Sequence, residues 1–169
     1  MGVVNTKSNI VTNADATPPT RTSVNLRHGR LREQVATVEV AAADDDTSVF
    51  RLFRAHTSWR ISEILLYNDA LTGGTSFDLG AHKTAKDGGA VIDVDAFGAA
   101  IDLSSARTTA GPLNALTEAM NIDKIEKMLW EVLGLTSDPD IEVDITLTAN
   151  TIGSGAGTIS AVMRYVAND

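Results

Sequence analysis

The sequence predicts a mainly β protein: a jelly-roll-like antiparallel β-sandwich with short helical inserts and an extended N-terminal arm. Three observations carry this. Val143, Ile145 and Leu147 alternate with Glu142, Asp144, Thr146 and Thr148, the period-two pattern of a strand with one dry face and one wet face. Ile159, Ala161, Met163 and Tyr165 repeat the pattern across the turn Gly153-Ser154-Gly155-Ala156-Gly157. Elsewhere, short apolar stretches are divided by Gly-, Asn- and Asp-rich turns. Helical spacing is confined to inserts between strands, unlike the regular βα alternation of a parallel sheet.

Residues 1–34 read as an arm. They are rich in Asn, Thr, Ser and Ala, are broken by Pro18-Pro19 and show no sustained period. Such a segment does not order itself, so its order is expected to come from a neighbouring subunit or a second protein. Residues 35–169 read as the sandwich domain. Val38 and Val40 alternate with Thr37 and Glu39 in a first strand, and Asp44-Asp45-Asp46 makes a turn. A second strand spans Ser48 to Ala55, with Arg51 and Arg54 between apolar residues of imperfect alternation.

A third strand spans Trp59 to Tyr67. Its apolar residues fall on both parities, which predicts a central strand or one covered outside by a partner. Phe77 to Gly80 is a short strand. Val94 to Leu103 has the spacing of a short helix, as do Leu113, Leu116 and Met120 after Gly111-Pro112. Asp123 with Glu126 forms a capping-box pattern for a helix holding Ile125, Leu129 and Val132, stopped by Gly134. Trp59 and Trp130 sit in strongly apolar segments and are expected to anchor the core, with one of them possible at a subunit contact.

Composition narrows the function classes. At 169 residues and 43 % hydrophobic content the chain can bury a real core. Cysteine is absent, which removes disulfides, thiol nucleophiles and zinc–thiolate sites, and is compatible with synthesis in a reducing cytoplasm. No apolar run approaches the roughly 20 residues that span a bilayer, and the start lacks the order of a secretory signal. Gly2 and Thr6 match the short myristoylation pattern, with no second membrane signal beside it; no membrane partner is expected.

The net charge of −8 is uneven. Residues 1–35 carry five basic against two acidic residues, a net of +3, and the remainder carries −11. An acidic body repels nucleic acid, and a basic arm suits an acidic surface.

No catalytic, cofactor or metal site is expected. His28, His56 and His82 lie in unlike contexts, and a Ser-His-Asp triad is recognisable only by geometry. The glycine-rich segment 153–157 lacks the Gly-Lys-Ser/Thr ending of a phosphate loop and lies between strands, which fits a hairpin. Asp44-Asp45-Asp46 and the series Asp138, Asp140, Glu142, Asp144 offer oxygen ligands to a hard cation, but neither has the glycine and terminal glutamate of a calcium loop; a solvated turn and a solvated strand face account for them. The interface candidates are Leu26, Arg27, His28, Arg30, Leu31 and Arg32, because guanidinium groups make forked bonds to carboxylates and leucines can be buried between them. A loose basic tail is the alternative reading of this cluster.

Two blocks carry a resemblance. Leu129-Trp130-Glu131, Leu133-Gly134-Leu135-Thr136 and Asp138-Pro139 lead into the acidic alternating strand and then into Gly157-Thr158-Ile159-Ser160, ending at Arg164-Tyr165-Val166. The upstream block runs from Glu63-Ile64-Leu65-Leu66-Tyr67-Asn68-Asp69 through Phe77-Asp78-Leu79-Gly80. Together they resemble the head decoration, or cement, proteins of tailed bacteriophages over about residues 58–166, leaving residues 1–35 uncovered. The resemblance implies a structural virion protein, made in the host cytoplasm, that binds the outer surface of the major capsid protein shell and stabilises it. The mixed parity of the third strand predicts a homo-oligomer, and the resemblance, with the frequency of two-fold interfaces, favours a dimer over a trimer. A neck or tail protein is the alternative within the virion, and a carbohydrate-binding sandwich module the alternative outside it.

Overall fold

The computed structural model describes residues 4–108, 112–116 and 121–167. Among these residues eight strands form two four-stranded antiparallel sheets: β1 Leu31–Val40, β2 Val49–His56, β3 Arg60–Asn68, β4 Ser76–Lys83, β5 Val91–Asp102, β6 Leu113–Asn114, β7 Glu142–Thr151 and β8 Gly157–Val166. The strand orders are β1-β8-β3-β6 and β2-β7-β4-β5. The chain behaves as one long hairpin in which β1 pairs β8, β2 pairs β7, β3 pairs β6 and β4 pairs β5. Rolling that hairpin places successive pairs in opposite sheets, and β3–β8 and β4–β7 pairing completes each sheet. This is the jelly roll, the expected fold class.

The core lies between the sheets. Ile64, Leu66, Ile159, Ala161 and Met163 from the first sheet meet Phe77, Leu79, Val143, Ile145 and Leu147 from the second, all fully buried. The dry faces read from β7 and β8 are therefore the dry faces of the molecule.

Two bulges explain the irregular alternation of β2 and β3. Pairing with β7 shifts register between Arg51 and Phe53, so Phe50 and Phe53 both face inward despite opposite parity. Pairing with β8 shifts between Ile61 and Glu63, which turns Ile61 inward with Ile64 and Leu66. β3 is an interior strand, as expected, but much of its mixed parity comes from the bulge rather than from cover on both faces.

Several local expectations are corrected. β1 begins at Leu31, four residues before the expected start at Val35, because Leu31 to Gln34 find ladder partners in Met163 to Val166. The segment from Val94 is strand, not helix: β5 hydrogen-bonds along β4, with three register shifts that absorb its small residues. Leu113 belongs to β6 against Leu66, and Ala115 N–H donates to Ile64 O; Met120 lies outside the described residues. Residues 122–126 form turns, and Ile125 is exposed, so nothing apolar holds a helix there.

The helix itself is one turn, Leu129–Val132. Its amides at Leu129 and Trp130 donate to Trp59 O and Thr57 O, and Glu131 Oε2 accepts from Met128 N–H at 2.9 Å. Gly134 does stop it, at φ +68, with Gly134 N–H on Glu131 O and Leu135 N–H on Trp130 O. Trp59 is half-buried and packs on the core, stacked on Tyr165 at 4.2 Å between ring centroids; Trp130 is half-buried.

Candidate functional site

The arm contains structure that its composition concealed. Ser8 Oγ accepts from Val11 N–H and caps a helix over Asn9–Asp15, here called the arm helix. The chain then doubles back: Thr20 N–H donates to Asn13 O at 2.9 Å, and Asn13 Nδ2 donates to Thr22 Oγ1 at 3.3 Å. A turn follows in which Leu26 and Arg27 N–H both donate to Ser23 O. His28 closes it in the left-handed region at φ +66.

This turn rests on the body. The Arg60 Nε–H donates to Asn25 O at 3.0 Å, and Gly29 lies so close to Val166 that a Cβ there would overlap it. Asn9 Nδ2 reaches both Glu126 oxygens at 3.2 Å. Part of the arm's order is thus intramolecular, where the sequence pointed only to neighbours.

The six interface candidates are divided by the fold. Leu26 is half-buried in the turn, and Arg27 and His28 are exposed beside it, with Arg27 Nε–H donating to His28 Nε2 at 3.0 Å. Arg30 is exposed just before β1. Leu31 and Arg32 are consecutive on β1 and so face opposite sides of the sheet. Arg27 and His28 instead join Arg21, which the sequence reading did not single out. With Ala14, Pro19, Thr20, Thr22 and Val24 they line a cup of about 480 Å³.

The outer face of the β2-β7-β4-β5 sheet holds a second group. The bulge in β2 brings Arg51 and Arg54 onto this same face. Asp144 Oδ2 takes Arg51 Nη1–H at 2.7 Å, and Asp144 Oδ1 takes Arg54 Nε–H at 2.9 Å. Arg51 Nη1–H also donates to Lys83 O. The hydrogen bond and charge of Asp144 hold Arg54 above its ordinary value. Beside them His82 Nδ1 meets Thr146 Oγ1 at 2.8 Å. Burial, aided by the charge of Arg51, pushes the His82 pKa down. Asp144 and Thr146 were expected on a wet face; both are buried, because the two guanidinium groups and His82 cover them.

The other polar clusters serve the backbone. Asp44 Oδ2 accepts from Ala41 N–H and Asp46 Oδ1 from Ile152 N–H, so the aspartate run caps its own turn and the β7–β8 connection. Thr57 Oγ1–H donates to Asp138. Among the described residues no three His, Cys, Asp or Glu side chains gather as metal ligands. His56 Nδ1 bonds Ser58 Oγ at 2.8 Å, but Asp140 stands 3.7 Å from Nε2, beyond hydrogen-bond reach, and its side chain is almost fully exposed. No described helix is long and apolar enough to cross a membrane.

The outer face of the first sheet is a ladder in cross-strand register. Glu33, Arg164 and Glu63 form one row, Arg164 reaching them at 2.9 and 2.6 Å. Val35, Val162 and Leu65 form the next, with Val35 67 % exposed. Thr37, Ser160 and Tyr67 follow.

No protein-family model and no curated protein matches the chain. Among solved structures, a chain in the cyanophage Pam1 capsid asymmetric unit superposes with a TM-score of 0.53 at 13 % identity, over 82 % of this chain and 85 % of that one. A chain in the capsid of Ralstonia phage GP4 superposes with a TM-score of 0.58 at 14 % identity, over 83 % and 86 %. At such identities the likeness is one of fold, and it extends over most of each chain: this protein has the architecture of chains found in two phage capsid structures.

Proposed function

We propose that this chain is a structural virion protein of the decoration or cement type, which binds the outer surface of the major capsid protein shell and stabilises it. The observation that carries this is the fold shared over most of their length with chains of two phage capsid structures. The resemblance of residues 58–166 to decoration proteins supports it. A clamp spanning two shell subunits raises the free energy of separating them, and symmetry repeats each weak contact many times. We further propose a homo-oligomer, a dimer before a trimer. Its support is the apolar row Val35–Val162–Leu65 on an outer sheet face, since β3's mixed parity is largely explained by its bulge.

The test is to incubate purified protein with undecorated shells and image the particles. Saturable density on the outer surface, with copies in contact, is expected. No binding, or density only at the neck or tail, overturns the reading. A chain lacking residues 1–30 should keep its β signature by circular dichroism and decorate shells at reduced occupancy.

A further inference from the structure

We propose that the arm cup is a receptor for an aspartate or glutamate side chain of the shell subunit, with Arg21 and Arg27 as its two forks. The proposal rests on the shell-binding reading above. Charge accounting favours these two arginines over those of the sheet faces. Arg51 and Arg54 are answered by Asp144, Arg164 by Glu33 and Glu63, and Lys7 by Asp15 at 2.9 Å. Among the described residues, Arg21 and Arg27 pair with no carboxylate and no acidic side chain lines the cup they share.

The cup is also built and rich in donors. Its walls are tied by Thr20 N–H on Asn13 O and Asn13 Nδ2–H on Thr22 Oγ1. Thr22 Oγ1 accepts that bond, so its own O–H remains to donate. Arg27 spends Nε–H on His28 Nε2, which orients the guanidinium and leaves both terminal nitrogens for a forked bond. Ala14, Pro19 and Val24 supply an apolar wall suited to the methylene stem of an acidic side chain.

The occupant is a lone carboxylate rather than a nucleic acid. The body carries −11 and repels a polyanion. One carboxylate on a protein loop brings only a local charge, screened from the body beyond about 8 Å at physiological salt.

The test uses the full chain on undecorated shells. Wild-type occupancy decides the shell-binding reading by itself; failure there removes both proposals. The variant R21Q/R27Q, with an unchanged melting curve, is expected to bind roughly tenfold more weakly and with a flatter salt dependence. Equal binding by this variant overturns the cup proposal alone. R21K/R27K keeps the charge, and each new amine can be joined to a touching carboxylate by a water-soluble carbodiimide. Mass spectrometry of the decorated shells should find links from position 21 or 27 to an Asp or Glu of the shell subunit. Links from those positions only to another copy of this chain, or none on shells that are decorated, overturn it. Competition of wild-type binding by a thymidine oligonucleotide, with no effect from a blocked glutamate-rich peptide, also overturns it.

Discussion

Asp144, 4 % exposed at the third position of its strand, receives the Arg51 guanidinium at 2.7 Å from the neighbouring strand. Arg54 reaches the other oxygen of the same carboxylate. In a regular strand, residues three apart face opposite sides. The bulge at Leu52 puts both arginines on one face and lets a single buried acid hold two cations.

Asp144→Asn leaves two arginines without their counter-charge. Both are about a third or more exposed and can turn to solvent, which keeps the loss below that of a fully buried pair. A destabilisation of about 2 kcal/mol is expected by urea unfolding. An unchanged midpoint would mean that the cluster contributes nothing to stability.

His82 makes stability depend on pH. Its folded-state pKa is held below the ordinary 6.5 by burial and by Arg51, with Asp144 opposing. The unfolded chain therefore takes up a proton that the folded chain refuses. The contribution is fully present above pH 6.5 and is lost as the pH falls from there through the folded value. His82→Gln can retain a hydrogen bond to Thr146 and should flatten the decline in unfolding midpoint between pH 7 and pH 5. Parallel profiles for the two proteins would assign the decline to other groups.

Asn25 is buried where the arm meets Arg60, yet neither Nδ2 nor Oδ1 has a hydrogen-bond partner among the described residues. Its backbone carbonyl makes the contact to Arg60. Asn25→Leu keeps that contact and removes two desolvated polar atoms, so a gain of about 1 kcal/mol is expected. A lower melting temperature would show that the amide has a partner in the assembled state or that the site rejects the leucine shape.

Gly80 sits where β5 crosses β4. A Cβ there would overlap the Asp93 and Val94 carbonyl groups, which are backbone and cannot swing away. Gly80→Ala should cost about 3 kcal/mol and loosen β5. Hydrogen exchange would show β5 amides losing protection first; unchanged protection would mean that the crossing accommodates the Cβ with its pairing intact.

The alternation of β7 and β8 determined their inward faces without further help, because a two-residue period admits one dry side. The stop at Gly134 was legible for a local reason, a glycine free to take a positive φ just past the last turn. The helix expected from Val94 was not recoverable from spacing: Ala96, Phe97, Gly98 and Ala99 suit either state, and β4 decided between them by supplying hydrogen-bond partners. The arm helix had a signal in Ser8, whose hydroxyl caps it, but too few apolar residues to mark a face.

The basic character of the arm follows from composition alone. Which arginines share a site does not. Arg21 and Arg27 meet because the chain turns back on the arm helix through Asn13, Thr20 and Thr22, while Arg32 leaves along β1. Arg51 and Arg54 meet because a bulge reverses the strand's parity. Local periodicity tells which side chains avoid water; only long-range backbone pairing, through register and bulges, decides which polar side chains come together.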